Sequence, residues 1–366
     1  MKMVMLAPDV ELDKISGGSV HHTSLCKELA KYCDVVLIGS GSEGSISGRY
    51  ETQTHPWIKK PRGREAAKKI DSLIAEEQPD ILYYRAEPFE SFGLYTKLPA
   101  PKIIEFNYNF FARHQSGAWT KAWWLRNALL SRWLKKTIKN FDAAVCVSGS
   151  VKKSLEMRGV RSSYHIIPNG ADVRKFKPGK KTKPVKIVFV GGAGKHQGAD
   201  MLVHAGEILQ SKGVKCRITI AGGFPLYDSF VSSLKKYVAE KHLNIEFTGM
   251  VQDVPKLLST ADIGVAPFRD VKERYGFSPL KIFEYMASGL AIVASDTEWN
   301  REIVKEGENG LLFQAGNEKE LADCLQVLVE NTRLRKKLQK AARSDAVKYY
   351  NWNRAAKHIL SIARSL

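Results

Sequence analysis

A chain of 366 residues, 44% hydrophobic and 26% charged, has the composition of a globular protein and enough length for two cores. Its apolar runs, such as Met3 to Leu6, are strand-length; none reaches the roughly 20 residues of a membrane span, and no signal peptide is visible, so a cytoplasmic location is expected. A formal net charge of +19, shared by both halves, predicts attraction to polyanions such as nucleotide sugars, anionic lipid headgroups or nucleic acid.

In chain order, apolar strands alternate with amphipathic helical stretches, the pattern of a doubly wound, mainly parallel α/β protein. Strands are predicted near 2–7, 34–38, 80–84, 102–106 and 143–147. A loop through Gly17 and Gly18 follows the first strand and leads into a helix from about Val20 to Lys31, where paired glycines let the backbone approach a ligand. Cys26, Cys33, Cys146, Cys216 and Cys324 share no C-x-x-C spacing, so reduced thiols are expected and neither zinc nor disulfides. His21, His22, His114 and His196 show no metal-ligand spacing with carboxylates and read as surface or packing histidines.

Between Glu105 and Asp142 there is no acid, while Arg113, Lys121, Arg126, Arg132, Lys135, Lys136 and Lys139 alternate with Trp119, Trp123, Trp124, Leu125, Leu129, Leu130 and Trp133. The stretch 119–139 reads equally as an interfacial helix facing an anionic membrane or as a core-packed helix with solvated lysines. It lacks the context of an RNA- or DNA-binding module, and no nucleic acid partner is expected. Residues 172–184 carry Pro and Gly without apolar periodicity and form the expected linker. Beyond it come strands near 185–191, 216–221, 244–247, 262–266, 290–294 and 311–313, then helices over 317–344 and 352–364.

The segment Ser278-Pro279-Leu280-Lys281-Ile282-Phe283-Glu284-Tyr285-Met286-Ala287-Ser288-Gly289 carries the most chemistry. Ser278 suits an N-cap, Pro279 the first helical position and Gly289 the C-terminal cap. The first turn of such a helix offers unpaired N–H groups and a positive dipole end to a phosphate. Lys281 and Glu284, three apart, share a face: the lysine suits a phosphate and the carboxylate suits ribose hydroxyls. An ordinary capped helix with a surface ion pair is the competing reading.

Taken together, these segments resemble the family-4 glycosyltransferases, the retaining group 1 enzymes of GT-B fold. The resemblance runs nearly end to end, through Gly17-Gly18, Val147-Ser148, Ile167-Pro168-Asn169-Gly170, Val190-Gly191-Gly192, Phe247-Thr248-Gly249, Ala261-Asp262-Ile263, Glu284 to Gly289 and Glu302-Ile303-Val304. It implies two Rossmann-like doubly wound domains facing each other across a cleft: an acceptor-side domain over 1–172, a linker over 173–184, a nucleotide-sugar domain over 185–349, and a last helix, 350–366, packing back on the first domain. The ribose ligand of the family's Glu-x7-Glu motif maps onto Glu284, whereas its first glutamate falls at Gly276. The basic residues that flank the diphosphate in relatives fall at Gly192 and Gln197, leaving Lys195 and Lys281 as substitutes. The resemblance thus implies a donor site of Gly17, Gly18, Gly192, Lys195, Phe277, Ser278, Pro279, Leu280, Lys281 and Glu284. The strand Ile103 to Phe106 ends in Asn107 where many members carry a histidine, so Asn107 is expected to touch the transferred sugar. Glu105 and Arg85 are expected to organise the acceptor pocket as an ion pair, with a buried structural pair as the alternative.

The activity implied is metal-independent transfer of a sugar, with retention, from a nucleotide-diphosphate sugar to a hydroxyl of a glycan or lipid-linked acceptor, with no cofactor. A non-transferring nucleotide-sugar enzyme such as a 2-epimerase, and a catalytically silent or polyanion-binding GT-B protein, are the alternatives. A peripheral membrane contact through 119–139 remains open.

Overall fold

The computed structural model describes the chain except residues 15, 47–49, 60–61, 112–121, 193, 224–227 and 270–277. The described residues divide into two compact units: unit 1 holds residues 1–169, Ser278 and 352–366, and unit 2 holds 170–269 and 279–351.

Unit 1 is built on a sheet of eight strands, β1 (Lys2–Glu11), β2 (Asp34–Ser40), β3 (Gly44–Ile46), β4 (Glu51–Thr54), β5 (Ile81–Arg85), β6 (Lys102–Phe106), β7 (Ala143–Cys146) and β8 (Tyr164–Ile166), in the order β3-β4-β2-β1-β5-β6-β7-β8. Only the β3/β4 pair is antiparallel. β1 lies in the middle, and its Met3 to Ala7 run is buried without alternation, as expected of a parallel strand covered on both faces. The helices are α1 (Gly17–Leu29), α2 (Gly63–Glu76), α3 (Phe92–Tyr95), α4 (Trp123–Thr137) and α5 (Gly149–Glu156). The core joins Val4, Leu6, Ile38, Leu82, Tyr84, Ile104 and Phe106 from the sheet to Ile70, Ile74, Leu130 and Leu134 from α2 and α4.

Unit 2 has six parallel strands, β9 (Val185–Val190), β10 (Cys216–Ala221), β11 (Ile245–Gly249), β12 (Ile263–Ala266), β13 (Ala291–Asp296) and β14 (Gly310–Gln314), in the order β11-β10-β9-β12-β13-β14. Around it lie α6 (Ala199–Ser211), α7 (Asp228–Glu240), α8 (Val254–Thr260), α9 (Leu280–Ala287), α10 (Glu298–Arg301), α11 (Glu318–Glu330) and α12 (Thr332–Lys348). The final helix, α13 (Trp352–Ser365), belongs to unit 1, where it packs along α1.

Three expectations about elements need correction. The glycines Gly17 and Gly18 are the first turn of α1 instead of a loop before it, because Ser16 and Ser19 form a reciprocal capping box that starts the helix there. The expected single helix over 317–344 is two, since Asn331 ends α11 and its side chain accepts from Leu334 N to cap α12. Short strands β3, β4 and β8 at the two ends of the sheet, too brief for an apolar run, have no counterpart in the hydrophobic pattern.

Candidate functional site

In unit 2 the geometry gathers at the carboxyl end of β9 and the start of α9. Tyr285 locks α9 against the sheet: its hydroxyl accepts from Val190 N at 2.7 Å, and its ring fills space that only a glycine at 264 leaves open. At the far end Gly289, in a left-handed conformation with φ +66°, turns the chain so that Leu290 N donates to Tyr285 O at 3.0 Å, closing the helix as a Schellman cap. Arg343 donates to the Ala287 carbonyl and also holds the Phe176 and Val173 carbonyls at 2.9 and 3.0 Å.

The helix start differs from expectation. The helix begins at Leu280 with Pro279 in the cap position, and the Ser278 hydroxyl does not cap it. Within unit 1 that hydroxyl accepts from Asn169 N at 3.0 Å, and the Asn169 amide donates to Ser278 O at 2.6 Å. Phe277 lies outside the described residues.

Lys281 and Glu284 do not form the surface ion pair. Lys281 is buried, with Nζ 4.1 Å from the Phe189 ring centre, 5.1 Å from that of Phe268, and 2.8 Å from Gln197 Oε1. A Cβ on Gly191 would stand 2.7 Å from that ammonium, so glycine at 191 makes the space Nζ occupies. No carboxylate among the described residues lies within ion-pair distance of Nζ. Burial pushes the Lys281 pKa down to about 7, against the attraction of Glu284. Burial likewise raises the Glu284 carboxyl to about 7, opposed by Lys175 and Lys281, and its carboxylate has no hydrogen-bond partner among the described residues. Unit 2 therefore presents a desolvated ammonium, without a counter-ion among the described residues, in the first turn of a helix, with a carboxyl one turn on. Gly192 has open space around its α-carbon, and Lys195 stands exposed on the turn 195–197, Nζ 5.8 Å over the Phe230 ring.

In unit 1 the expected Arg85–Glu105 ion pair is absent, although β5 and β6 pair those residues in register. Arg85 Nε instead contacts both Asp9 oxygens at 3.1 Å, with Glu87 at 3.9 Å. Glu87 also accepts from the Tyr108 hydroxyl at 2.7 Å. Burial and the neighbouring Asp9 raise the Glu87 carboxyl to about 8. Both oxygens of Glu105 are already taken. Oε1 accepts from Tyr83 at 2.7 Å and faces His21 Nε2 at 3.1 Å, while Oε2 accepts from Asn107 Nδ2 at 2.7 Å. Burial alone would raise the Glu105 carboxyl, but His21, His22 and Tyr83 together hold it below the usual carboxylate range.

His21 and His22 are thus buried on α1, as packing and not surface residues, and they face the Glu105 carboxylate, which their spacing did not suggest. Sequence reasoning also missed Tyr83, Asn169, Gln197 and the two phenylalanines around Lys281. The Pro-Asn-Gly at 168–170 and the His-His that follows Gly-Gly at one helical turn are the signals that point to Asn169 and His21.

The basic-aromatic segment shows both expected faces where it is described. Leu130 and Leu134 of α4 lie in the core, while Trp124, Leu125 and Leu129 are 69%, 40% and 46% exposed. Arg132, Lys135, Lys136 and Lys139 line a basic groove with Arg161. Arg126 does not belong to that face: it is buried, donating to Phe110 O at 3.0 Å. Trp119, Arg113 and Lys121 lie outside the described residues. No helix among the described residues is long and apolar enough to cross a membrane.

Two doubly wound parallel-sheet units of this kind define the GT-B class, and the first solved structure compared bears this out as fold. Anabaena HepE in complex with UDP superposes with a TM-score of 0.75 at 15% identity, covering 100% of both chains. Residues 15–175 match the glycosyltransferase family 4 model, and residues 184–331 match the model for group 1 glycosyl transferases. The chain belongs to the group 1, family-4 type glycosyltransferases. Among curated relatives, phosphatidyl-myo-inositol mannosyltransferase of Mycobacterium leprae is 36% identical over 121 residues, 32% of this chain and 31% of that one. An α-1,3-N-acetylgalactosaminyltransferase of Campylobacter jejuni acting on N,N'-diacetylbacillosaminyl-diphospho-undecaprenol is 36% identical over 105 residues, 29% and 27% of the two chains. The chain spans 41% and 31% of the lengths of the first curated relatives it matches.

Proposed function

We propose that this chain transfers a sugar, with retention, from a nucleoside-diphosphate sugar to a hydroxyl of a glycan or lipid-linked acceptor, with no metal at the diphosphate. Unit 2 binds the nucleotide and unit 1 carries the acceptor-side residues. The observation that carries the reading is Lys281: a buried ammonium with aromatic faces and one amide around it, and no carboxylate in ion-pair reach among the described residues, is a site built for a ligand's negative charge. A diphosphate there meets the α9 amides as well, and the charge that develops on the leaving phosphate is stabilised without a metal. Glu284 accepts hydrogen bonds from ribose hydroxyls. Asn107, steadied through its Nδ2 by Glu105, contacts the transferred sugar. The leaving phosphate takes the acceptor proton, so no protein base is required.

A uridine donor is the first to test, because HepE is solved with UDP and with UDP-glucose. The names of the mycobacterial and Campylobacter relatives, whose acceptors are lipids, support a membrane-borne acceptor. The exposed aromatic and basic surface of α4 supports peripheral contact with an anionic membrane from the cytoplasmic side. The test is thermal stability of the purified chain with UDP, GDP, ADP, TDP and CMP, each with and without Mg²⁺. One nucleoside diphosphate should stabilise the wild type independently of metal, and Lys281→Ala and Glu284→Ala should each lose most of the effect. Stabilisation by none of them would remove the basis of the proposal.

A further inference from the structure

α1 and β6 bring three metal-ligating side chains together in the core of unit 1. His21, His22 and Glu105 are 4%, 1% and 2% exposed, and their ligand atoms all lie within 4.8 Å of one another. His21 Nε2 stands 3.1 Å from Glu105 Oε1 and His22 Nε2 3.7 Å from Oε2.

The other nitrogen of each ring is already committed. His22 Nδ1 lies 2.9 Å from the Gly18 carbonyl, which can only accept, so that nitrogen carries a hydrogen. His21 Nδ1 lies 2.6 Å from Asn169 Oδ1, and the orientation of that amide is set by its Nδ2 donating to Ser278 O at 2.6 Å. His21 Nδ1 therefore also carries a hydrogen. With each Nδ1 so committed, both Nε2 atoms face the same carboxylate, and both are buried without a hydrogen-bond partner among the described residues. Ligand histidines are held in this way, with the distal N–H anchored to an oxygen and the near nitrogen left free.

One proton between His21 and Glu105 answers half of this arrangement. It leaves His22 Nε2, 3.7 Å from Oε2 and buried, unsatisfied among the described residues. A divalent cation answers all three atoms at once. We propose that His21, His22 and Glu105 form a binding site for a divalent cation of the zinc type. Two imidazoles and one carboxylate favour zinc, cobalt or a neighbouring transition metal over magnesium or calcium, which take oxygen ligands. The spacings of 3.1 and 3.7 Å fall near those between ligands about 2.0–2.2 Å from a shared tetrahedral ion. The ion is structural: it fixes Glu105, and Glu105 holds Asn107.

The test uses the full chain without a polyhistidine tag, stripped with EDTA and titrated with Zn²⁺ and Co²⁺ by calorimetry and visible absorption. The expected result is one tight equivalent, a raised melting temperature, and the intense visible bands of low-coordinate Co²⁺. His22→Gln should weaken binding by roughly a hundredfold or more. His22→Phe, which keeps the ring volume, gives a folded comparison if the glutamine variant fails to fold. His204→Gln, at a part-exposed histidine of unit 2, should leave the titration unchanged. Absence of saturable binding by the folded wild type, or equal affinity in wild type and both His22 variants, overturns the proposal. In that case imidazole nitrogen NMR would show a proton on His21 Nε2, leaving an ion pair with Glu105.

Discussion

At the scale of single residues, Lys281 and Glu284 make nucleotide binding a proton-linked event. The free lysine titrates at about 7, against 10.5 for an ordinary one, because burial penalises its charged form. A bound diphosphate restores the charge, so binding above pH 7 must take up a proton, and affinity should fall by up to about tenfold per pH unit on that side. Glu284, raised to about 7 by burial, loses its capacity as an anionic acceptor on the acid side. Affinity for the stabilising nucleotide should therefore peak near pH 7. Calorimetry in buffers of different ionisation enthalpy should record proton uptake at pH 8, and Glu284→Gln should flatten the acid limb alone. An affinity that does not change between pH 7 and 9 contradicts the assignment of Lys281. Stability carries the same signature without ligand. Between pH 7 and 10.5 the unfolded chain binds the Lys281 proton and the folded one does not, so this group makes stability rise with pH there. Between 4.5 and 7 the folded chain keeps the Glu284 proton that the unfolded chain has lost, so stability falls as pH rises. Spacing made Lys281 and Glu284 legible in the sequence, because a helix puts positions three apart on one face. It could not show that Phe189, Phe268 and Gln197, some 13 to 92 positions away, enclose the ammonium, nor that Arg85 prefers Asp9 to its register partner Glu105.

Whole elements follow the same division. The buried strands of both sheets were readable because parallel strands covered on two faces are continuous apolar runs, and β6 and β10 keep their expected bounds. β3 and β4 were not, because an edge hairpin of Gly, Ser, Glu, Thr and Gln carries no core pattern. The termini of α9 illustrate how local chemistry sets an element. Gly289→Ala would force φ +66° on an alanine and bring its Cβ to 2.8 Å from the Pro178 ring. A loss of about 1–3 kcal/mol is expected in chemical denaturation, with nucleotide binding retained if α9 itself persists. α4 offers a second element-scale test. Replacing Lys135, Lys136 and Lys139 together with glutamate leaves its core residues Leu130 and Leu134 untouched. Sedimentation with anionic vesicles should then fall by about 1 kcal/mol of binding per lysine removed, and the wild-type binding itself should weaken with salt. Equal sedimentation of the two proteins would assign the charge to solubility alone.

For the molecule as a whole, the chain builds two hydrophobic cores that share no residue, one in each unit. Each has the size of an ordinary folding unit, so heating should resolve two cooperative transitions where their stabilities differ. The order of the chain adds an asymmetry: the last helix, α13, completes unit 1 although all of unit 2's described residues precede it. Its Trp352, Ala355, Ala356, Ile359, Leu360 and Ala363 are buried, Trp352 lies edge-on to His21 at 5.3 Å between ring centres, and Asn353 donates to Glu28 at 3.0 Å. Removing 352–366 uncovers the α1 side that holds His21 while leaving every residue of the unit 2 core in place. The truncated chain should lose or strongly lower only one calorimetric transition. Leu360→Ala should shift that same transition by about 2–5 kcal/mol of stability without moving the other. The nucleotide-dependent stabilisation tied to Lys281 should persist in the remaining transition, which separates a fault in unit 1 from one in the donor site. If truncation lowers both transitions equally, the two cores do not unfold as independent units.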